Sequence, residues 1–598
     1  MDYLERTRSR IRLNIALSAI LFVVLSGAVC RAAGTVLRGS ISGTVKADQG
    51  EVRGFRVTAH NLQYKLWYTV FTNKGRYTIP QALPGLYDVT VLEPGYLSPA
   101  LPVQLGPGEN RTLDITVARQ APGAGEARPG YVPSESDFGE SRSSAKTVFV
   151  DRLEDLYTPG PGLDLMKANC FGCHGASFGA MHMNKESYRI GISRMTETGP
   201  TDTPNSLNLG RTVLTGPQKD MIAEYLAKNF GPGEPTKRVR VDPPVIDEDV
   251  ISKAIYVSYD TPPNMAIWPR GERIGANQVD GVVEQAGPVT NWANNYLHDP
   301  FIAPDGAIWY GAPVANAMMR LDKKELDPAK RWQTFPVKGT PYVFIHGITA
   351  DSQGRMYWAE INGGQLGELD PATGKQIRHF TPERGAMLQV ATDQSDNIWF
   401  GMVKGGHMGK LDAKTRRVYE WPTPTPDNGI YGLAVDPQGN VWGAGWQKGI
   451  ATKFDPKTET YTEYMIPNSW GQLRRIGVDS KGIVWFSEYN VGRLGSLDPA
   501  TGKISEFQLP TRGANPYDVW PDQQDNIWMG DQPQSSLVKF DRNTKKFTYY
   551  PEPQLRWSLP KIEIEKNNTI WFGARGLPHI TANHFYPDGY TADAPPEP

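Results

Sequence analysis

Short stretches in which apolar and polar residues alternate cover most of this chain, and Gly, Pro, Asn or Asp separate them. Residues 37–118 contain six such stretches, among them FRVTAHN and RTLDITVA. Because successive side chains of a β-strand point to opposite faces, this pattern predicts half-buried strands joined by tight turns. We therefore expect a small β-sandwich over residues 37–118.

From residue 251 onward, one unit of a turn and a strand recurs, and each copy contains an aromatic anchor. Successive anchors lie 42 to 48 residues apart, and the seven are Trp309, Tyr357, Trp399, Trp442, Trp485, Trp528 and Trp571. A period of this length is typical of one four-stranded propeller blade. The last unit lacks a clear outer strand, whereas AIYVSYDTP at 254–262 has no blade of its own. The sequence thus predicts a seven-bladed β-propeller over residues 251–598 whose N-terminal strand completes the final blade.

Helical periodicity is confined to residues 150–233. Met221, Ile222, Tyr225 and Leu226 follow helical spacing, and the pattern ends before Gly231 and Pro232. We expect a small all-α domain here, inside a chain that is otherwise mainly β and divided into several domains. Residues 119–149 are rich in Pro, Gly and Ser and are typical of a linker.

The N-terminal residues 1–33 differ from the rest of the chain. Four arginines between residues 6 and 12 precede an apolar run at 13–29, and small residues follow near Cys30. This order predicts a signal peptide of the general secretory type, and hence export to the periplasm or another extracytoplasmic space. The run also approaches the length of a membrane span, so an N-terminal anchor stays open.

Charge narrows the choice of partners. The 63 basic and 64 acidic residues leave a net charge of −1, which does not favour a nucleic-acid-binding face. The 61 glycines, 49 prolines and 16 tryptophans are typical of a turn-rich, aromatic-rich β protein.

The cysteines point to one cofactor. Two of the three, Cys170 and Cys173, form the pentapeptide CFGCH with His174, which is the attachment signature of a c-type haem. The two thiols form thioether bonds to the porphyrin, and the adjacent imidazole binds the iron. A redox disulfide of the thioredoxin type would need a surrounding βαβ unit, and a structural zinc site would need a second cluster of ligands. The sequence pattern indicates neither. The pentapeptide therefore predicts one covalent haem c.

The region around this pentapeptide resembles the class I cytochromes c. The resemblance places Tyr188 about two helical turns before Met195, and a terminal helix with Tyr225 and Leu226 against the haem helix. It implies that Met195 is the second axial ligand of the iron, with Met181, Met183 and His182 as alternatives. It also implies electron transfer with a redox partner protein, a dehydrogenase or an oxidase.

Two further resemblances concern the β domains. Residues 37–118, with GLYDVTVLEPGY, are similar to the carboxypeptidase regulatory-like domain, a transthyretin-like sandwich without catalytic chemistry. WFSEYNVGRLGSLDPATGKISEFQLPT resembles the repeat of the virginiamycin B (streptogramin) lyases. The second resemblance implies a propeller fold and a magnesium-dependent C–O lyase activity on cyclic depsipeptide-like esters.

A candidate site follows from the repeat itself. The residue about eleven positions before each anchor begins the innermost strand and is expected to line the central channel. Around the ring these residues are His298, His346, Leu388, Tyr431, Arg474, Tyr517 and Pro560. The two histidines, Arg474 and the two tyrosines form the predicted channel site, which suits a small aromatic or anionic substrate.

The lyase resemblance also implies a glutamate that holds Mg²⁺ near the histidines, but Phe344 occupies its place. Glu360, Glu488 and Asp531 are the candidate replacements. We expect the remaining propeller histidines to lie at the surface: His379, His407, His579 and His584.

Together these patterns predict an exported monohaem c-type cytochrome that transfers electrons. The propeller is expected to bind the substrate or partner of that redox system, because a six-coordinate haem relays electrons and leaves substrate chemistry to another site. The alternatives are a magnesium-dependent lyase of the virginiamycin B type and a non-enzymatic binding or scaffold propeller.

Overall fold

The computed structural model describes residues 36–120, 147–171, 177–196, 214–262, 297–554, 561–573 and 581–596, with short gaps at 314, 339–342, 362–363, 382–384, 404 and 469. Strands dominate these ranges, which contain four α-helices. The predicted mainly β, multidomain architecture with a β-propeller is confirmed. The predicted export segment at 1–33 lies outside the described residues. No helix in the described ranges has the length and apolar character needed to cross a membrane.

The N-terminal domain is a β-sandwich of nine strands. They are β1 (Gly39–Ala47), β2 (Arg56–Asn61), β3 (Leu66–Phe71), β4 (Arg76–Ala82), β5 (Gly85–Leu92), β6 (Tyr96–Leu97), β7 (Leu101–Leu105), β8 (Asn110–Thr112) and β9 (Ile115–Arg119). One sheet has the order β4-β1-β9-β6, with β8 also paired to β1, and the other contains β3-β2-β5-β7. Alternating side chains form the core: in β5, Tyr87, Val89 and Val91 are buried, whereas Asp88 and Thr90 between them are half-buried and Leu86 before them is exposed.

A helical unit follows the sandwich. It contains β10 (Val148–Val150), α1 (Pro161–Asn169), α2 (Lys185–Thr196), α3 (Gly216–Phe230), β11 (Lys237–Val239) and 3-10 turns at Leu153–Leu156 and Ser177–Ala180. Both α1 and α2 pack against α3. Thr215 begins α3 with a capping box, because its side chain and that of Gln218 each bind the other's backbone N–H. The helix ends at Phe230, before Gly231, as the sequence predicts.

Six blades of the propeller are separate four-stranded antiparallel sheets in sequence order. Blades one to three comprise β13 (Pro300–Ile302), β14 (Ile308–Ala312), β15 (Ala317–Leu321), β16 (Trp332–Pro336), β17 (Ile345–Ala350), β18 (Met356–Glu360), β19 (Gln365–Asp370), β20 (Lys375–Phe380), β21 (Met387–Thr392), β22 (Ile398–Met402), β23 (His407–Leu411) and β24 (Val418–Pro422). Blades four to six comprise β25 (Ile430–Val435), β26 (Val441–Gly445), β27 (Ile450–Asp455), β28 (Thr460–Met465), β29 (Leu473–Val478), β30 (Val484–Glu488), β31 (Arg493–Asp498), β32 (Lys503–Gln508), β33 (Trp520–Pro521), β34 (Ile527–Asp531), β35 (Ser536–Asp541) and β36 (Lys546–Pro551).

The seventh blade is built from both ends of the propeller segment. A short helix, α4 (Glu248–Ile251), leads into β12 (Ile255–Asp260), which pairs with β39 (Thr581–Tyr586), the partner of β38 (Ile570–Gly573) and β37 (Ile562–Ile564). The prediction that an N-terminal strand completes the last blade is confirmed. The other edge of β12 pairs with β3 of the sandwich, so one eight-stranded sheet joins the two domains.

A recurring carboxylate explains why the turns before the anchors form. In blade four, Asp436 accepts hydrogen bonds from the backbone N–H groups of Gln438 (3.0 Å) and Asn440 (2.8 Å) with one oxygen. Its other oxygen accepts from the indole Nε1 of Trp442 at 3.0 Å. The same aspartate-to-indole bond occurs at Trp399, Trp485 and Trp528. In these four blades, one aspartate side chain therefore closes the turn and also holds the aromatic anchor.

Candidate functional site

The predicted channel residues converge in the centre of the propeller. First strands of neighbouring blades lie side by side, and all five side chains of the predicted channel site are almost fully buried. The ring centres of His298 and His346 are 4.2 Å apart. Ring closure thus brings together residues more than two hundred positions apart in the sequence. Of the other two ring positions, Leu388 is buried and Pro560 lies outside the described residues.

His346 connects the histidine pair to the tyrosines. Its Nδ1 donates to the backbone carbonyl of Leu388, so its Nε2 is the acceptor atom and faces the hydroxyl of Tyr431 at 3.3 Å. The hydroxyl of Tyr431 is also hydrogen-bonded to that of Tyr517. Burial, and next the neighbouring His298, lower the pKa of His346 well below its ordinary value. A neutral histidine therefore ends a hydrogen-bonded chain of two phenols.

Arg474 lies beside this chain in a box of aromatic rings. Its guanidinium carbon is 4.0 Å from the ring centre of Tyr489, 4.7 Å from Tyr517, 5.2 Å from Tyr431 and 5.7 Å from Trp446. Cation–π attraction holds such a charge where water is excluded. The site therefore presents a positive charge between aromatic faces.

A second ring of polar residues accompanies the predicted one. The position directly after each predicted residue is occupied by Asp299, Gly347, Gln389, Gly432, Arg475, Asp518 and Lys561. Backbone pairing of the first strand shifts register between Ile345 and Ile348, Ile430 and Gly432, and Leu473 and Ile476. Such β-bulges change the direction of side chains and disturb the alternation of the strand. The sequence analysis did not predict this ring. The same alignment of the repeats would find it if the next position of each repeat were taken.

The glycines of the second ring leave room for the next blade. A Cβ on Gly347 would lie 2.7 Å from the carbonyl oxygen of Leu388, and one on Gly432 would lie 2.8 Å from that of Arg474. Neither distance is compatible with a side chain unless the backbone moves. The two glycines therefore allow the inner strands to approach closely around the channel.

Asp299 is the centre of the charges in the second ring. Its carboxylate contacts Nδ1 of His298 at 2.5 Å, Nη2 of Arg475 at 3.3 Å and Nζ of Lys561 at 3.9 Å. Burial opposes its ionisation, but Arg475, His298 and Lys561 outweigh burial and hold its pKa below the ordinary value. Arg475 also donates to Oε1 of Gln389. The buried carboxylate is thus neutralised by charged side chains from two other blades, Arg475 and Lys561.

Three side chains of the channel could hold a metal ion. One ligand atom each from His298, Asp299 and His346 lies within 4.8 Å of the others. The carboxylate next to the histidines is therefore that of Asp299, in contrast to the expected Glu360, Glu488 or Asp531. Glu360 instead accepts hydrogen bonds from Trp358 and Arg378. Because Arg475 and Lys561 already neutralise Asp299, the charge around the channel favours an anion more than a cation.

His584 corrects one expectation. We expected it at the surface, but it is fully buried, stacked on Trp571 at 4.1 Å, and its Nδ1 is hydrogen-bonded to the hydroxyl of Tyr586 at 2.9 Å. Its strand, β39, lies between β38 and β12 and is covered by the sandwich. His379 is also largely buried, against Glu368, whereas His407 is half-buried and His579 lies outside the described residues.

The helical unit contains part of the predicted haem site. Cys170 caps the C-terminal end of α1, where its N–H donates to the carbonyl of Met166 at 2.7 Å. Residues 172–176, with Cys173 and His174, lie outside the described residues, as does the side chain of Met195 in α2. Among the alternative ligands, His182 is buried, and its two ring nitrogens contact Gly231 O at 3.3 Å and Thr236 Oγ1 at 2.9 Å. His182 is therefore already engaged as a packing residue.

Comparison with known proteins identifies both β domains. Residues 40–118 match the carboxypeptidase regulatory-like domain, and residues 416–581 match the Virginiamycin B lyase family. The chain thus carries a carboxypeptidase regulatory-like domain and a virginiamycin B lyase-like propeller. Neither matched range includes the helical unit. No curated protein matches the chain.

Several solved structures are similar to about half of this chain. A streptogramin B lyase is 20% identical, with 49% of this chain and 94% of that one covered and a TM-score of 0.44. A selenomethionine-substituted virginiamycin B lyase from Staphylococcus aureus is 17% identical, with the same coverage and TM-score. The WD40 propeller domain of Doa1 is 10% identical over 49% of this chain and 93% of its own, with a TM-score of 0.41.

Proposed function

We propose that this protein is an exported monohaem c-type cytochrome that transfers single electrons. The propeller binds the small-molecule substrate or protein partner of that redox system. The observation that carries the proposal is the position of the haem signature: Cys170 lies at the end of α1, and Phe171 enters the core of the helical unit. A thiol-bearing peptide at the end of a packed helix is a suitable place to anchor a porphyrin.

The described residues fit such a group. A Cβ on Gly162 of α1 would lie 2.4 Å from Cβ of Tyr225, so α1 and α3 cross with almost no space between them. The cytochrome resemblance implies this packing of a terminal helix against the haem helix. We assign Cys170 and Cys173 to the thioether bonds, and His174 and Met195 to the iron. A haem held in this way supplies one-electron redox chemistry.

Phe171, directly after Cys170, is almost fully buried among aromatic rings. Its ring lies 4.6 Å from that of Tyr157 and 6.4 Å from that of Phe178. Tyr188 is buried beneath α3, and its hydroxyl donates to the carbonyl of Phe230 at 3.2 Å. An apolar shell of this kind favours the reduced state of a haem, because the oxidised state carries one more positive charge.

Haem attachment is the direct test. The full-length chain is co-expressed with haem-ligation machinery, and the purified protein is examined by intact mass and by its reduced absorption spectrum. We expect one covalent haem and a c-type spectrum, both lost in Cys170→Ala together with Cys173→Ala and retained in Cys30→Ala. A colourless wild-type protein with the mass of the bare polypeptide would refute the proposal.

Export is tested separately. Fractionation of the expressing cells and the mass of the mature N-terminus report where the protein resides and whether residues 1–33 are removed. We expect the protein in the extracytoplasmic fraction, free or attached by its N-terminal segment. Recovery in the cytoplasm would contradict export.

The grouping of His298, Asp299 and His346 is the observation behind a second candidate, a magnesium-dependent lyase, in which the ion would compete with Arg475 and Lys561 for Asp299. A Mg²⁺ ion held at this cluster would stabilise the negative charge that develops on the substrate, and a neutral histidine would accept the proton that leaves the substrate carbon as its C–O bond breaks. Ring opening of a cyclic depsipeptide that requires added Mg²⁺ and disappears in His346→Ala would support it. Equal turnover with and without Mg²⁺, or in the variant, would exclude it.

A further inference from the structure

Around α1 and Phe171, the helical unit contacts two segments of the propeller: the 3-10 turn Tyr489–Val491 and the loop 466–472, which connects β28 to β29. Trp470 in this loop stacks on Phe171, with ring centres 5.6 Å apart and planes inclined by 16°. Lys167 lies on α1, and its Nζ is 3.9 Å from the centre of the same indole ring. Tyr157 is also near, with its ring centre 6.0 Å from that of Trp470. One propeller side chain thus contacts three residues around the start of the haem signature.

Polar contacts fix the same junction. The side-chain amide of Asn490 donates to the carbonyl of Phe171 at 3.2 Å and to Oε1 of Gln472 at 2.6 Å. The amide of Gln472 donates to the carbonyl of Lys167 at 3.4 Å. The acceptors of these hydrogen bonds are backbone carbonyls of α1 and Phe171. The bonds therefore fix the position of this part of the helical unit on the propeller.

The two propeller segments that contact Phe171 are adjacent in sequence to residues of the aromatic box. Arg474 follows Trp470 by four residues, and Tyr489 directly precedes Asn490. The guanidinium carbon of Arg474 is 4.0 Å from the ring centre of Tyr489. A continuous series of contacts therefore joins the aromatic box of the channel to the residue beside Cys170.

We propose that Trp470 is a positioning residue that seats Phe171, directly after Cys170, on the propeller and shields it from water. The inference rests on the proposed function, because it concerns the environment of the haem. Removing the indole admits water next to Phe171, and water stabilises the more highly charged oxidised haem. The propeller therefore raises the reduction potential of the haem through this contact.

The test compares three variants of the full-length, haem-loaded protein. Trp470→Ala removes the stack, Trp470→Phe preserves an aromatic face, and Trp421→Ala removes a tryptophan from outer strand β24, where it stacks on Trp399. The measurements are amide hydrogen exchange and the reduction potential from an equilibrium redox titration. We expect Trp470→Ala to accelerate exchange about tenfold in residues 161–171 and 489–491, and to lower the potential. Trp470→Phe should stay close to the wild type.

Asn490→Ala provides a milder variant if Trp470→Ala does not fold. It removes the hydrogen bond to Phe171 while the indole stays in place, and we expect a smaller change in the same direction for both measurements. Unchanged exchange and potential in the variant examined, relative to Trp421→Ala, would overturn the inference. Faster exchange without a change in potential would also overturn it, because the contact would then be structural only.

The experiments distinguish failure of the proposed function from failure of this inference. If the wild-type protein never acquires a covalent haem, the proposed function fails, and the inference fails with it. If the haem is attached but Trp470→Ala behaves as Trp421→Ala does, only the inference fails.

Discussion

Tyr256 of β12 pairs with Thr69 of β3 in the sandwich on one side and with Phe585 of β39 in the propeller on the other. Its ring also stacks on that of Phe585 at 4.3 Å. β12 therefore closes the propeller ring and also pairs with the edge strand of the sandwich sheet. This arrangement leaves no free edge on β12, and it makes the sandwich part of the closure of the ring.

Tyr256→Ala should destabilise both β domains together. The side chain is fully buried, and its loss leaves a cavity between the sandwich and the seventh blade that costs about 3–5 kcal/mol. Calorimetry should show the sandwich and propeller transitions shifting to lower temperature as one. Tyr419→Ala in outer strand β24, where the ring is 39% exposed, is the control and should cost less than about 1 kcal/mol. Separate sandwich and propeller transitions, only one of them shifted, would contradict the prediction.

Arg475→Met should destabilise the propeller through Asp299. The variant leaves a fully buried carboxylate without its nearest guanidinium, which typically costs about 3–5 kcal/mol. The double variant Asp299→Asn with Arg475→Met should lose less than the sum of the two single variants in urea denaturation. Lys410→Met, which breaks a half-exposed pair with Asp412, should cost at most about 1 kcal/mol. Additive losses in the double variant would show that the two groups are independent.

Asp436→Ala should weaken the hairpin of blade four. The change deprives two backbone N–H groups and the indole of Trp442 of their acceptor, and we expect a loss of about 2–3 kcal/mol. Asp498→Ala, at an exposed turn with bonds to Ala500 and Thr501, should cost less. Chemical denaturation of both variants measures the difference. Equal losses would show that the bond to the anchor contributes nothing.

Glu488→Gln should remove a pH dependence of stability. Burial, and next the neighbouring Glu506, raise the pKa of Glu488 from 4.5 to about 8. The folded state therefore retains a proton that the unfolded state releases between these values, and stability from this group falls as pH rises through that window. We expect the variant to melt at a higher temperature than the wild type at pH 9 and at a similar temperature at pH 4.

Glu459→Gln, at an exposed position, is the matched control for that experiment. A variant that is less stable than the wild type at pH 9 would show that the ionised carboxylate of Glu488 has a partner that stabilises it.

The sequence predicts those residues of the candidate site that occupy the same position in every repeat. One position per blade pointed to His298, His346, Tyr431, Arg474 and Tyr517, because every blade presents the same strand to the channel. The second ring with Asp299 and Arg475 was not predictable from alternation, since a strand is expected to turn successive side chains to opposite faces. At Arg475 a β-bulge breaks that rule, and a bulge leaves no clear mark on the pattern of apolar residues. Asp299 lies directly before the first strand of its blade.

The sequence by itself determined the strands, the period of the blades and the strand that closes the ring, and it is the source of the predicted haem attachment. These depend on alternation, spacing and short motifs, which are local properties of the chain. The tertiary structure alone decided that Asp299 meets Arg475, that His584 is buried and that Trp470 covers Phe171. Such contacts join residues far apart in the chain, and their energies depend on which groups lose water together when the domains pack.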